Sequence, residues 1–142
     1  METTWDGLQV TRERPFASSV VVWRRGATGR EFLVLHRAHF GPKFAGDWAW
    51  TPPAGARQPG EDADTAAARE LREETGLSLP LVQVESPNPD VAHYVAEAPH
   101  DAEVTLDAEH DAHRWLPLDA AAELCRPTVV SDGLRAAAAV LT

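Results

Sequence analysis

Strands and helices interleave along this chain, which predicts an α/β domain built on a mixed β-sheet. Three observations carry that expectation. Two runs of β-branched and aromatic residues, 16–23 and 31–37, are separated by a glycine-containing turn and read as a hairpin. One segment, 62–75, is rich in Ala, Glu, Leu and Arg and reads as a helix. Short apolar runs then alternate with turns before two closing helical stretches.

Taken in order, the residues before 13 look weakly ordered, and the two hairpin strands follow. Residues 39–47 form a polar loop with glycines. Residues 48–53 are extended, because Pro52 and Pro53 bar a helix there. Pro59 and Gly60 make a turn before the helix, Glu61 and Asp62 suit its positive end, and Gly76 stands where a C-terminal cap belongs. Strands are expected at 79–84, 91–98 and 103–106, the last two around the turn Pro99-His100-Asp101. Residues 113–116 are extended, and helices are expected at 118–125 and 132–141.

A length of 142 residues fits one domain with a real core. The net charge of −9 argues against broad binding to a nucleic acid backbone, which needs an excess of Lys and Arg. It leaves room for a small phosphorylated ligand, provided a cation lies between acid and phosphate. Cys125 is the single cysteine, so neither an internal disulfide nor a thiolate metal site can form. No apolar stretch is long enough to span a bilayer and the N-terminus lacks a signal-peptide pattern, so a cytoplasmic protein is expected.

The helix carries the chemistry. At roughly 100° per residue, Glu73 and Glu74 fall within about 60° of Glu70, next to an apolar stripe of Ala67 and Leu71. Such crowding repels by roughly 0.2–0.5 kcal/mol per pair, and a divalent cation offsets it. Magnesium prefers carboxylate oxygens, and manganese is the alternative ion. A solvated face with an Arg69–Glu73 ion pair would explain the acids alone.

The wider spacing favours the site. GARQPGEDADTAAARELREETGL, from Gly55, matches a known pattern at Gly55, Glu61, Arg69, Glu70, Leu71, Glu73, Glu74, Gly76 and Leu77. If each position is met about once in ten, a chance match is on the order of one in a billion. The segment resembles the signature of the Nudix hydrolases. That resemblance implies an α/β/α sandwich around a central mixed sheet and metal-dependent cleavage of a phosphoanhydride. Glu70 and Glu74 would be the principal metal ligands, with Glu73 ligating or hydrogen-bonding beside them. The Gly55 carbonyl would add a ligand, while Glu61 and Arg69 would hold loop and helix in place.

WTPPAGARQPGED, from Trp50, and AEHDAHRWLPLDAAAEL, from Ala108, are similar to segments of the asymmetric diadenosine tetraphosphate hydrolases of that family. The likeness makes Glu109 an extra metal ligand or the general base. Ala54 and His113 depart from that branch, which often has Lys and Tyr there. Related dATP and dihydroneopterin triphosphate hydrolases share the Glu-His and Trp pattern, so a nucleoside triphosphate is the alternative substrate. Arg37 and Lys43 are candidates for phosphate contact, with ordinary solvated side chains as the alternative, and Tyr94 and His113 are candidates for the base, with core packing the alternative for Tyr94. Trp48 and Trp50 are expected in the core, with shielding of the site or stacking on a base as the alternative, and His110 with His113 lacks the further ligands a zinc site needs. A different class, a non-catalytic nucleotide-binding regulator, would be marked by a lost glutamate. The expected partner is a small nucleotide, with the chain a monomer or homodimer.

Overall fold

The structure is a computed structural model and describes residues 11–141. The expected weak order before residue 13 therefore falls mostly outside it. Within it, Thr11 is buried and its N–H donates to the Arg57 carbonyl at 2.8 Å.

The hairpin forms as the sequence predicts. Strand β1 (Ala17–Gly26) and β2 (Gly29–Arg37) pair antiparallel, with Trp23 opposite Phe32 and Gly26 opposite Gly29. Two short strands follow, β3 (Trp50–Thr51) on β2 and β4 (Ala54–Ala56) on β1. The chain then runs through α1 (Ala63–Thr75), β5 (Val82–Val84), β6 (Val91–Glu97), β7 (His110–Leu116), α2 (Leu118–Leu124) and α3 (Thr128–Ala138). The main strand order is β3-β2-β1-β6-β5, with β7 also on β2. β1 and β6 run parallel while the hairpin is antiparallel, so the sheet is mixed.

Both sheet faces are covered, which explains the unbroken VVVW run of β1. Val20 and Val22 join Leu33, Leu35, Ala67, Leu71 and Tyr94 in a core under α1. Val21 and Trp23 join Phe32, Val34, Val95, Ala121, Leu134 and Ala137 in a second core under α2 and α3. The result is an α/β/α sandwich. The α3 backbone reaches its sheet at Gly133, where a Cβ would sit 2.4 Å from His93 Nε2.

Four expectations need correction. Residues 103–106 form no strand. Val104 and Leu106 pack on the α1-side core, and the Thr105 N–H donates to the Thr75 carbonyl, so the segment braces the end of α1 instead. β5 is shorter than expected, since Pro80 cannot donate to a ladder. β7 starts earlier and pairs along β2 from Phe32 to Arg37. α3 starts at Thr128, where β-branched Val129 and Val130 mask the helical stripe. β4 was not foreseen, because Ala-Gly-Ala has no strand preference. Cap Gly76 has φ 74°, and its N–H donates to Arg72 O, as expected.

Candidate active site

A cleft of about 500 Å³ opens beside α1. Its floor is β4 and the face of α1 carrying Glu70 and Glu73, and its far wall is the loop after β2 together with the turn before β7. Arg69 organises the near wall. Its Nε and Nη2 donate to both Glu61 oxygens at 2.8 and 2.9 Å, Nη1 donates to Glu70 at 2.8 Å, and Nη2 also reaches the Ala56 carbonyl at 3.1 Å. A guanidinium fork suits this geometry as an ammonium would not. The bonds to Arg69 hold the Glu61 carboxyl below the usual range and push the guanidinium further up. Arg57, unflagged by the sequence, donates to the carbonyls of Glu13, Pro15 and Glu61 and straps the loop down from behind.

Glu74 lies deepest, 1% exposed, with one oxygen accepting the Ala54 N–H at 3.1 Å. Burial pushes its carboxyl well above the usual range, and a hydrogen bond to Glu70 and that neighbour's charge push it further. Glu70 presses against the backbone of β4: a Cβ on Gly55 would fall 2.2 Å from the Glu70 Cδ. Gly55 is thus required by the approach of the carboxylate and not by a special φ. Glu73 is about half exposed at the rim, 3.3 Å from Arg69 Nη1. Among the described residues, no three acidic or histidine side chains close around one point. What converges is the pair Glu70 and Glu74. Two hard oxygen donors, one with ionisation suppressed by burial, fit a divalent cation, whose charge would relieve that suppression.

Glu109 lines the opposite wall. Next to it His110 is buried, its Nδ1 2.8 Å from Asp107 Oδ1 and its Nε2 3.9 Å from Glu74. Arg37 lines the cleft, whereas Lys43 does not. Tyr94 is buried under α1 with its hydroxyl donating to Asp64, and His113 lies along β7 near Arg24, so both stand away from the cleft. Trp50 is in the core as expected, but Trp48 is 46% exposed in the cleft wall, with φ 67° and the Arg37 guanidinium 5.8 Å from its ring. Phe40, 66% exposed beside it, carried no sequence signal beyond being an aromatic in a loop. A second, mainly apolar cavity of about 380 Å³ lies on the other side of β4, between β6 and α3. It shares Arg37, Trp48 and Ala54 to Ala56 with the first.

The NUDIX domain model matches residues 15–133. This chain belongs to the Nudix family. It is a hydrolase of phosphorus-containing anhydrides, and divalent metal ions are the general cofactors of Nudix hydrolases. It is 34% identical over 130 residues to the asymmetrical bis(5'-nucleosyl)-tetraphosphatase of Sus scrofa, covering 78% of this chain and 84% of the relative. A structure of a C. elegans Ap4A hydrolase binary complex superposes with TM-score 0.71 at 29% identity, covering 88% of this chain and 97% of that one. An octanoyltransferase of Myxococcus xanthus is 36% identical over 85% of this Nudix chain, which spans only 36% of that protein. Among the described residues no helix is long and apolar enough to cross a membrane.

Proposed function

We propose that this Nudix hydrolase cleaves a dinucleoside polyphosphate such as diadenosine tetraphosphate, with Mg²⁺ held by Glu70 and Glu74. The observation that carries the reading is the carboxylate pair of Glu70, which lines the cleft, and Glu74, buried directly behind it, opposite a wall that exposes Phe40 and Trp48. Acids and aromatics serve the two ends of one ligand: a phosphate chain through a cation, and a base by stacking. The adjoining apolar cavity gives room for a second base across β4. Two such sites flanking one metal position suit a molecule with a nucleoside at each end. The relative from Sus scrofa acts on such a molecule by its name.

When bound, the ion neutralises phosphate charge and acidifies a water. Glu70 and Glu74 would supply its carboxylate ligands, with the Gly55 carbonyl and Glu73 at the margin. Arg69 keeps Glu70 oriented while saturating Glu61. Glu109, facing this pair across the cleft, takes the proton of the attacking water as the new P–O bond forms and the anhydride P–O bond breaks, leaving a phosphate on the departing nucleotide. Arg37, beside Trp48, balances the charge of the chain.

A nucleoside triphosphate is the second reading. Ala54 favours it, since no lysine projects from that point of β4 toward a longer polyphosphate. Turnover of a panel of dinucleoside polyphosphates, nucleoside triphosphates and nucleotide sugars with Mg²⁺, products separated by chromatography, decides between them. A higher kcat/KM on triphosphates than on any dinucleotide would overturn the first reading.

A further inference from the structure

His36 ends the buried face of β2 and is 2% exposed, yet nothing in the hydrolytic chemistry above uses it. Its ring packs against Trp50 at 4.8 Å between centroids. Both ring nitrogens meet oxygen. Nδ1 lies 2.6 Å from Asp111 Oδ1 and Nε2 lies 2.6 Å from the Phe44 carbonyl. A carbonyl oxygen only accepts, so Nε2–H donates to Phe44, while Nδ1 lies against the Asp111 carboxyl. A buried polar side chain with both ends satisfied fixes the elements that supply its partners.

Those elements are the two parts of the cleft's far wall. Phe44 belongs to the loop that presents Phe40, and the two rings touch at 4.9 Å. Asp111 sits at a β-bulge: Arg37 pairs with His110 and His36 with Ala112, leaving Asp111 as the extra residue of β7. A bulge bends its strand and re-aims neighbouring side chains. Here the neighbours are Glu109 and His110, and the Glu109 carbonyl accepts the Ala38 N–H at 2.9 Å where the loop begins. Loop and turn thus meet both at their backbones and at His36.

We propose that His36 is a positioning residue, a buried clamp that joins the Phe40 loop to the Asp111 bulge and so sets the far wall, with Glu109 and the stacking aromatics, at its working distance from α1. The kinetic consequence rests on the proposed function, whereas the mechanical one does not.

The test compares Asp111→Ala, which removes one end of the clamp, with Asp111→Asn, whose side-chain amide has nearly the same shape and can donate to Nδ1. His36→Gln probes the same link from the other side. Hydrogen exchange is read without substrate. In Asp111→Ala, amides of 38–44 and 107–110 exchange faster while those of β1 do not change. With diadenosine tetraphosphate and Mg²⁺, kcat/KM falls about tenfold or more in Asp111→Ala, as misplaced catalytic groups cause. Asp111→Asn restores exchange and most of the activity. Unchanged exchange in both segments for Asp111→Ala and His36→Gln overturns the clamp, as does equal impairment of the Asn and Ala variants. A wild-type protein that turns over no dinucleotide refutes the substrate reading instead, and the exchange data still decide the clamp.

Discussion

The two walls of the cleft are built on opposite plans. The α1 wall is regular secondary structure, locked by Arg69 through bonds to Glu61, Glu70 and the Ala56 carbonyl. The far wall is a loop and a bulged turn, held from beneath by one histidine and carrying exposed aromatic surface. The difference separates two tasks. Bond cleavage needs carboxylates fixed to a fraction of an ångström, which a helix and an arginine fork supply. Choice of substrate needs a surface whose loop length and side chains can change without disturbing them.

Breaking the near wall has the largest effect. Glu70→Gln and Glu74→Gln each lower kcat by about a hundredfold or more, the scale of losing a group that stabilises the transition state, while circular dichroism stays native. Full turnover in both would leave the assigned ligands without support. Gly55→Ala comes next: its methyl group enters the space of the Glu70 carboxyl. Activity drops about thirtyfold, a loss that misalignment alone can produce, with melting little changed. The far wall answers differently. Phe40→Ala and Trp48→Ala raise KM about tenfold with kcat near wild type, since a base–aromatic stack contributes roughly 1–3 kcal/mol. A fall in kcat alone would place these rings elsewhere in the reaction.

The smallest effect appears in melting curves. Glu74's folded carboxyl lies above its unfolded value, so its contribution to stability is present at low pH and lost as pH rises through the folded value. The metal-free protein should melt at falling temperature over that range. Glu74→Gln removes the dependence and raises metal-free melting at pH values where the wild-type carboxyl is ionised. Added Mg²⁺ should stabilise the wild type more than the variant.

The near wall was legible in the sequence because helical spacing and a fixed motif are local. Arg69 joins Glu61 to Glu70, Glu74 lies beside Glu70, and Gly76 caps α1, each at the position the motif spacing marks. The far wall was hidden because its contacts are distant in sequence. His36 and Asp111 are separated by 75 positions, and Phe40 and Lys43 look equally exposed until the loop closes and only Phe40 lines the cleft. Strand β4 had no propensity to announce it, since its three residues are ordered by pairing with β1. Tyr94 shows the same limit from the other side: of its two expected places, base pocket or core, it takes the core under α1, and period-2 alternation alone does not say which face holds the ligand.

Gly133 extends the same logic to the second cavity. Helix α3 docks by a missing side chain, its backbone seated almost on the His93 imidazole. Any larger residue there would displace the His93 ring or the helix and so reshape the chamber between β6 and α3. The scaffold thereby offers a tuning screw for molecular recognition placed outside the carboxylate cluster, with β4 as the partition the two chambers share.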